Sequence, residues 1–262
     1  MSYNYLKAAK KIVCIGRNYA AHIKELNSAT PKQPFFFLKP SSSIVTPFDI
    51  RHKESKILPE DSSFHGLNED GSNPGPIYIP KGVLVHHEVE LAIVMDKYVS
   101  NAQPGDIKAN DVFNYIKGIS LAFDLTGRNV QFEAKKKGLP WSIAKGFDTF
   151  LPISHFIPKD QLIQDKENLQ DAFRLVCKVN GSVRQDGDSS LMLNPLHKII
   201  QVISTMVSLE PGDIILTGTP EGVGEVKIGD VISGELFYNG KQVVDMKFEC
   251  KERPGPYEYR ET

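Results

Sequence analysis

Short apolar runs bounded by Gly, Pro and polar residues dominate the first half of the chain, and such runs predict β-strands. Residues 12–15, 35–38, 83–95 and 115–123 have this pattern. Residues 18–26 have the composition of a helix and lie between the first two runs. This half is therefore expected to contain several strands with few helices between them.

Two hairpin turns and one amphipathic helix are predicted in the second half. Asn-Gly pairs at 180–181 and 239–240 stand between β-prone segments, and Asn-Gly is the preferred sequence of a two-residue hairpin loop. Between the hairpins, Asn194 as the N-cap and Pro195 at the first helical position predict the start of a helix. Its apolar residues share one face, as in a helix packed on a core: Leu196, Ile199, Ile200, Ile203 and Val207.

One more helix is expected from Thr126, as the N-cap, to Gly138, which can end it. Lysines at 135–137 then occupy its last turn, where the helix dipole favours cations, so this run needs no nucleic acid to explain it. Strands outnumber helices and do not alternate regularly with them, which argues against Rossmann and TIM-barrel plans. We therefore expect one α+β domain that is rich in β-structure and has a few short helices.

Composition and charge exclude several classes of protein. Of 262 residues, 40% are hydrophobic and 24% are charged, and the net charge is -1, so a disordered chain and a basic nucleic-acid-binding surface are both disfavoured. The apolar stretches are far shorter than the roughly 18 residues that span a bilayer, and no membrane partner is expected. Cys14, Cys177 and Cys250 are far apart in the sequence, which disfavours a disulfide framework and a structural zinc site. A small molecule is the expected partner.

Three carboxylates in the first half are candidates for a metal site. The strand period of two places Glu88 and Glu90 on one face and His87 on the other. Asp124 ends the next β-segment and can join them if the two strands pair. Buried carboxylates that share a face need a cation, supplied by Lys, Arg or a metal. Three oxygen ligands suit a hard cation, Mg²⁺ first with Mn²⁺ or Ca²⁺ as alternatives, whereas a solvated acidic strand face is the simpler explanation.

Other side chains indicate acid–base and anion-binding chemistry. His22 and Glu25 are three residues apart in the first predicted helix, so the carboxylate can orient the imidazole as a general base, although a surface helix explains the same spacing. Arg17 and Lys39 stand at strand ends, where anion-binding groups often lie. Lys145 lies in an apolar segment, where it needs an anionic partner or a lowered pKa, and a structural ion pair is the competing interpretation.

Two segments rich in glycine are expected to be loops. Residues 218–224 lack the spacing of a dinucleotide fingerprint, but the Thr219 hydroxyl and the backbone amides can meet a carboxylate or form an ordinary tight turn. Residues 51–82 contain many Gly, Pro and charged residues without a sustained period. They are the longest predicted loop, and they form either a lid over a site or a surface insertion.

Five motifs in order along the chain resemble the fumarylacetoacetate hydrolase family, in particular its single-domain members related to acylpyruvase and oxaloacetate-processing enzymes. The motifs are Ile15-Gly16-Arg17-Asn18-Tyr19 with His22 and Glu25, Phe37-Leu38-Lys39-Pro40, His87-Glu88-Val89-Glu90, Lys136-Lys137-Gly138-Leu139-Pro140-Trp141, and Gly212-Asp213-Ile214-Ile215-Leu216-Thr217-Gly218-Thr219-Pro220. The resemblance runs over most of the chain.

The resemblance implies that Glu88, Glu90 and Asp124 bind Mg²⁺ or Mn²⁺, and that His22 with Glu25 forms an acid–base pair. It implies that a further set of residues faces the substrate: Lys145, Gln131, Arg17, Lys39 and Thr219. It also implies a homodimer with a β-roll-like fold, as in the C-terminal domain of fumarylacetoacetase.

Under this resemblance, residues 1–11 are a short N-terminal extension, and residues 12–262 are a single catalytic domain. Two departures from the family pattern stand out. Asn129 follows Arg128 where relatives commonly carry Asp, which affects support around the metal strand. The insertion at 51–82 is longer than in compact relatives and leaves the size of the substrate open.

The expected chemistry is formation of an enolate from a small 2-oxo acid, stabilised by a metal that acts as a Lewis acid. Removal of a proton from C3 gives keto–enol tautomerisation, loss of CO₂ gives decarboxylation, and loss of an acyl group to water gives hydrolysis. Tautomerisation of oxaloacetate requires the least of the site and is the preferred prediction. Acylpyruvate hydrolysis and oxaloacetate decarboxylation are the alternatives, and a ligand-binding protein without turnover is a further one.

The charge of the N-terminal segment bears on location. Its first acidic residue is Glu25, and the basic residues before it are Lys7, Lys10, Lys11, Arg17 and Lys24. This bias resembles a mitochondrial transit peptide. A mitochondrial matrix protein is therefore expected, with a cytoplasmic protein as the alternative.

Overall fold

The computed structural model describes residues 3–27, 29–48 and 66–262. Their helices are α1 Ala20–Glu25, α2 Val112–Tyr115, α3 Arg128–Lys137, α4 Ser142–Gly146 and α5 Leu196–Ser204. Their strands are β1 Ile12–Gly16, β2 Phe35–Lys39, β3 Ile44–Val45, β4 Ile77–Ile79, β5 Val85–His87, β6 Val89–Met95, β7 Ile116–Phe123, β8 Thr126–Gly127, β9 Leu151–Pro152, β10 Ile157–Pro158, β11 Phe173–Val179, β12 Ser182–Asp188, β13 Ile214–Leu216, β14 Gly224–Val226, β15 Val231–Tyr238 and β16 Lys241–Glu252. The expected α+β fold, mostly sheet with a few short helices, is confirmed.

Two sheets form the body of the fold. The first has six strands in the order β10-β7-β6-β13-β1-β2, and the second has five in the order β12-β11-β15-β16-β4. Contacts join β11 to β6 and β15 to β7, so the second sheet packs on the first. A three-stranded sheet, β14-β5-β8, and the pair β3-β9 complete the strands of the described residues.

Alternating side chains along β6 supply two hydrophobic cores. Leu91 and Ile93 belong to the core between the two large sheets. Ala92 and Val94 face the opposite way and belong to a second core. The second core also takes side chains from the segment expected to be an N-terminal extension: Tyr3, Tyr5 and Leu6. The described part of that segment is therefore packed into the fold.

Both predicted hairpins are confirmed. The Asn-Gly pair at 180–181 connects β11 to β12, and the pair at 239–240 connects β15 to β16. The φ values are 51° and 80° in the first turn and 48° and 74° in the second. Positive φ at both central residues is the geometry of a type I′ turn, which Asn and Gly adopt at low cost.

The helix expected from Thr126 begins two residues later. Gly127 is the N-cap position, and α3 starts at Arg128. Thr126 lies in β8 instead, and its hydroxyl donates to the backbone oxygen of Asp124 at 3.2 Å. The prediction of a Thr126 cap was therefore wrong, because strand pairing holds this residue outside the helix. Gly138, with φ of 68°, ends the helix as predicted.

Helix α5 also begins without the predicted cap. Its N-cap position is Pro195, and Asn194 donates instead to Asn18 Oδ1 from its backbone N–H at 2.8 Å and its side-chain amide at 3.1 Å. Gln170 Oε1 accepts the N–H of Leu196 at 2.9 Å and replaces the predicted cap. Four residues of the predicted apolar face are buried on the helix: Leu196, Ile199, Ile200 and Ile203. The fifth, Val207, lies beyond the end of α5 and is partly buried against the same core.

The long strand expected at 83–95 is two strands that belong to different sheets. Strand β5 pairs with β14 and β8, whereas β6 pairs with β7 and β13. The chain passes from one sheet to the other at Glu88, which lies in neither strand. This interruption determines where the carboxylates of the candidate site lie.

The predicted loop at 51–82 falls partly outside the described residues, which resume at 66. The lid prediction for residues 51–82 stays a prediction, because residues 51–65 lie outside the described residues. Within the described part, β4 pairs in parallel with β16, so this end of the predicted loop belongs to the second sheet. In the part of the chain that the structure describes, no helix has the length and apolar composition that a membrane crossing requires.

Candidate active site

The three predicted carboxylates meet at the junction of β5, β6 and β7. Antiparallel pairing places Val89 opposite Phe123, so Glu88 and Asp124 are adjacent, and the N–H of Asp124 donates to the Glu88 backbone oxygen at 2.8 Å. Glu88, Glu90 and Asp124 are all buried, and each offers an oxygen within 4.8 Å of the other two. The pairing of β6 with β7, which was required for Asp124 to join the two glutamates, is therefore present.

Three cations surround two of the three carboxylates. Lys145 Nζ donates to Glu88 Oε2 at 2.9 Å and to Asp124 Oδ2 at 2.7 Å. Arg128 Nη2 donates to Glu88 Oε1 at 2.6 Å. Lys39 Nζ lies 2.9 Å from Asp124 Oδ1. The ion-pair interpretation of Lys145 is thus realised, and the pairs bring cationic groups into the carboxylate cluster.

Glu90 is the carboxylate without a cation among the described residues. Its Oε2 accepts the backbone N–H of Gly218 at 2.7 Å. Burial, together with the neighbouring charges of Asp124 and Glu88, raises the pKa of Glu90 well above its usual range. A cation placed beside Glu90 would favour its ionised form and so lower this pKa.

The pKa values of the paired groups shift in the direction expected for ions. Burial opposes ionisation of Glu88, but Lys145 and Arg128 outweigh it and hold the pKa of this carboxyl well below its usual range. Burial would lower the pKa of Lys145, but Asp124 and Glu88 outweigh it, and the pKa is raised. Both groups are therefore charged at neutral pH.

The donor set fits a hard divalent cation. Three carboxylate oxygens without sulfur or imidazole are the ligands that Mg²⁺ and Mn²⁺ prefer. The cluster is buried, and Glu90 lacks a compensating charge in the described structure. The residues present therefore fit the metal expected from the sequence.

The acid–base pair has the predicted geometry. His22 and Glu25 lie on α1, one turn apart, with Nδ1 of His22 3.1 Å from Glu25 Oε2. The backbone N–H of Gly222 donates to the other carboxylate oxygen of Glu25 at 3.1 Å. A carboxylate only accepts hydrogen bonds, so Nδ1 of His22 donates to Glu25 and Nε2 is the ring nitrogen left to exchange a proton.

A pocket that is partly open to solvent joins these groups. Its walls include His22, all three carboxylates, Lys145 and the following residues: Ile15, Gly16, Arg17, Leu26, Phe35, Phe37, Arg128, Gln131, Lys135, Trp141 and Thr219. The rings of Phe35 and Phe37 lie 6.0 and 5.8 Å from that of Trp141. The cavity thus has an aromatic wall and a wall of charged groups.

Four of the five residues expected to face the substrate line this cavity: Arg17, Gln131, Lys145 and Thr219. Lys39 does not line it. The Lys39 side chain is fully buried behind Asp124, and its ammonium donates to the backbone oxygens of Leu125 at 3.0 Å, Phe150 at 2.9 Å and Lys145. Because all three N–H groups of the ammonium donate to backbone oxygens, Lys39 stabilises the backbone around Asp124.

Arg128 contributes to the site, although no role was predicted for it from the sequence. It begins α3 just after the carboxylate strand and also donates from Nη1 to Gln131 Oε1 at 2.8 Å. Its position at the start of a helix that follows Asp124 is the signal that could have identified it. Neighbouring Asn129 accepts the N–H of Leu84 at 3.0 Å and donates to the backbone oxygen of Gly82 at 2.8 Å, so it supports the segment that leads into β5.

Comparison with known proteins finds similar sequences over the whole chain. The family model described as "Fumarylacetoacetate (FAA) hydrolase C-terminal" matches residues 11–248. A Saccharomyces cerevisiae protein named "Oxaloacetate tautomerase FMP41, mitochondrial" is 64% identical over 262 residues, covering 100% of both chains.

Two solved structures extend the comparison. A yeast fumarylacetoacetate hydrolase family protein, ynq8, superposes with a TM-score of 0.90 at 62% identity, covering 99% of this chain and 100% of that one. Fumarylpyruvate hydrolase from Pseudomonas aeruginosa, solved in complex with Mn²⁺ and pyruvate, gives a TM-score of 0.73 at 26% identity, covering 93% of this chain and 90% of that one.

Proposed function

The chain belongs to the fumarylacetoacetate hydrolase family, and on this premise we propose that it is a divalent-metal-dependent enzyme that interconverts the enol and keto forms of oxaloacetate. The observation that carries the proposal is the buried cluster of Glu88, Glu90 and Asp124 in one cavity with His22. The 64% identity with a protein named as an oxaloacetate tautomerase supports the choice of substrate and reaction.

Glu88, Glu90 and Asp124 would hold the cation, and we propose Mg²⁺, with Mn²⁺ as the alternative. When bound, a divalent cation supplies Lewis-acid polarisation of the carboxylate and 2-oxo oxygens of the substrate. Lys145 and Arg128 stay paired with Glu88 and hold it in place. Glu90 is then ionised, because its charge is compensated.

The cavity wall offers donors for a dicarboxylate. Gln131 Oε1 accepts from Arg128, so the amide N–H groups of Gln131 remain for the substrate. Lys145 uses two of its three N–H groups on carboxylates, and the third remains for the oxygen at C2. Arg17 adds a cation to the same wall. These groups bind and orient the substrate.

His22 is the group that moves the proton. Tautomerisation takes one proton from the C2 hydroxyl of the enol and adds one to C3, with no change in the number of atoms or electrons. Nε2 of His22 accepts and returns that proton, while Glu25 stabilises the imidazolium that forms. Lys145 donates to the C2 oxygen while negative charge is on it.

The same pair of residues keeps acylpyruvate hydrolysis as a second candidate, because His22 backed by Glu25 can also activate water. Oxaloacetate decarboxylation, the other alternative, needs no such base. The three reactions can be compared in one purified sample loaded with Mg²⁺, by following decay of enol-oxaloacetate, release of pyruvate and cleavage of an acylpyruvate.

Rapid, metal-dependent decay of the enol with slower activity in the other two assays is the expected result. Full tautomerase activity after exhaustive chelation would refute the metal-dependent mechanism. Acylpyruvate cleavage faster than enol decay would assign the chain to the hydrolases of the family.

We also propose that residues 12–262 act as one catalytic domain, that the enzyme is a homodimer, and that it works in the mitochondrial matrix. The last of these draws on the mitochondrial name of the yeast relative. Light scattering of the purified protein tests the dimer, and fractionation of cells that carry a tagged chain tests the location. A monomeric mass, or recovery in the cytosol, would refute the corresponding proposal.

A further inference from the structure

A buried glutamine outside the cavity connects both sides of the active site. Gln185 lies on β12, an edge strand of the second sheet, and its side chain is fully buried although most of the strand is exposed. Its amide makes four hydrogen bonds, which is the full capacity of the group. None of the motifs in the sequence includes this residue.

Two backbone groups fix the orientation of the amide. The N–H of Val89 can only donate, and it lies 3.0 Å from Gln185 Oε1. The carbonyl of Pro220 can only accept, and it lies 2.8 Å from Nε2. The remaining bonds follow from this orientation. His87 Nδ1 must donate to Oε1 at 2.9 Å, and Thr219 Oγ1 must accept from Nε2 at 2.7 Å.

This orientation determines what the Thr219 hydroxyl can do. The oxygen already accepts a hydrogen bond from Gln185, and the described residues provide no acceptor for the hydroxyl proton. Thr219 lines the cavity, so its proton is available to an anionic ligand there. We propose that Gln185 is a positioning residue that keeps Thr219 as a hydrogen-bond donor to the substrate carboxylate, an inference that rests on the proposed 2-oxo acid substrate.

The turn that carries Thr219 also touches the other functional groups. Gly218 N–H donates to Glu90, and Gly222 N–H donates to Glu25. The turn packs directly on β12, because a Cβ on Gly222 would lie 2.0 Å from the backbone oxygen of Arg184. Close packing therefore holds the backbone of the turn, and the Gln185 amide sets the direction of the hydroxyl.

Gln185→Glu tests the direction of that hydroxyl. A glutamate has the same size, but it offers at most one donor where the amide offers two, so it cannot donate to both Thr219 and the Pro220 carbonyl, and when ionised it only accepts and draws the Thr219 proton away from the cavity. The comparison set is Gln185→Glu, Thr219→Val and the double variant. Gln201→Glu is the matched control, because the Gln201 amide donates to the backbone oxygen of Ala102 at 2.8 Å in a different part of the protein.

Oxalate binding to the Mn²⁺-loaded protein, measured by calorimetry, is the main readout, because it needs no turnover. Loss of a hydrogen bond to a charged group typically lowers affinity about 10- to 100-fold. We expect this loss in Gln185→Glu and in Thr219→Val, with no further loss in the double variant. KM for enol-oxaloacetate should rise by the same factor, kcat should change less than about threefold, and Gln201→Glu should bind like the original protein.

Two results would overturn the proposal. One is oxalate affinity that is unchanged in Gln185→Glu or in Thr219→Val. The other is a loss in Gln185→Glu that is equally large when Thr219 is already Val, because a general structural role would give independent effects.

Should Gln185→Glu fail to fold, Thr219→Ser against Thr219→Val decides whether the hydroxyl is the donor, since only Ser can retain affinity. Nitrogen NMR of His87 in the original protein decides the amide orientation: an Nδ1–H tautomer supports it, and an Nε2–H tautomer overturns it. Absence of tautomerase activity with intact oxalate coupling would refute the proposed reaction and leave the role of Gln185 standing.

Discussion

Replacing Lys39 with Met distinguishes a residue that contacts substrate from one that supports the site. The Lys39 ammonium is fully buried and sits among three backbone oxygens and the Asp124 carboxylate. A methionine has a similar length and no charge, so it removes the cation without opening a large cavity. Asp124 would keep Lys145 as its remaining partner.

The magnitude follows from the loss of a buried partner. Removing one member of a buried ion pair typically costs about 3–5 kcal/mol, because the remaining charge and carbonyls stay buried without it. With an unfolding entropy of about 2.1 cal/mol/K per residue, 262 residues give about 0.55 kcal/mol/K. The variant should therefore unfold about 5–9 °C below the original protein.

Differential scanning calorimetry of the metal-free protein at a fixed scan rate measures this change. Lys136→Met is the matched control, because Lys136 is exposed on α3 and surface substitutions usually change stability by less than about 0.5 kcal/mol. An unchanged unfolding temperature in Lys39→Met, together with weaker oxalate binding, would refute the supporting role and restore the substrate contact implied by the family resemblance.

Three further predictions concern charge and proton transfer. Glu90→Gln should raise the unfolding temperature of the metal-free protein at pH 8, because the raised pKa of Glu90 makes its ionisation costly at that pH. The variant should also lose the stabilisation that Mn²⁺ gives the unsubstituted protein, and equal stabilisation by Mn²⁺ in the variant would contradict the prediction. His22→Ala should lower acylpyruvate hydrolysis by about 10²- to 10⁴-fold, spare decarboxylation, and lower tautomerisation to an intermediate extent, whereas equal losses with Mn²⁺ affinity intact would mean that His22 positions the substrate. Burial and Arg128 lower the pKa of His86 to about 4, so the stability that neutral His86 contributes is present above its usual pKa near 6.5 and is lost as pH falls towards 4. The unfolding temperature should therefore fall less between pH 7 and pH 5 in His86→Gln than in the unsubstituted protein, and an equal fall would refute the prediction.

The parts of the fold that the sequence predicted correctly depend on short-range physics. The Asn-Gly turns adopt positive φ because of their own side chains, and they connect strands that are adjacent in the sequence. The proximity of Glu90 and Asp124 follows from pairing of β6 with the next long strand, β7, whereas Glu88 lies between β5 and β6 and does not follow the period of two predicted for it. The turns and the pairing of consecutive strands were visible without any knowledge of distant contacts.

The parts that failed depend on partners far away in the sequence. Asn194 was expected to cap α5, but Asn18, 176 residues away, accepts its hydrogen bonds. Lys39 was expected to face substrate, but a backbone oxygen 111 residues away is one of its partners. Gln185 had no signal at all, because an isolated glutamine in a mostly polar strand is unremarkable until the register of β12 buries it.

The charge distribution of the site could not be deduced by counting residues. The sequence required a cation for the clustered carboxylates and left Lys, Arg and a metal as alternatives. In the structure Glu88 forms ion pairs with Lys145 and Arg128. Asp124 forms ion pairs with Lys145 and Lys39. Within the described ranges, Glu90 accepts only a backbone N–H. Protein cations and a metal ion therefore have complementary roles. The lysines and the arginine keep Glu88 and Asp124 ionised, whereas ionisation of Glu90 is unfavourable without a further cation. A divalent ion would supply that cation.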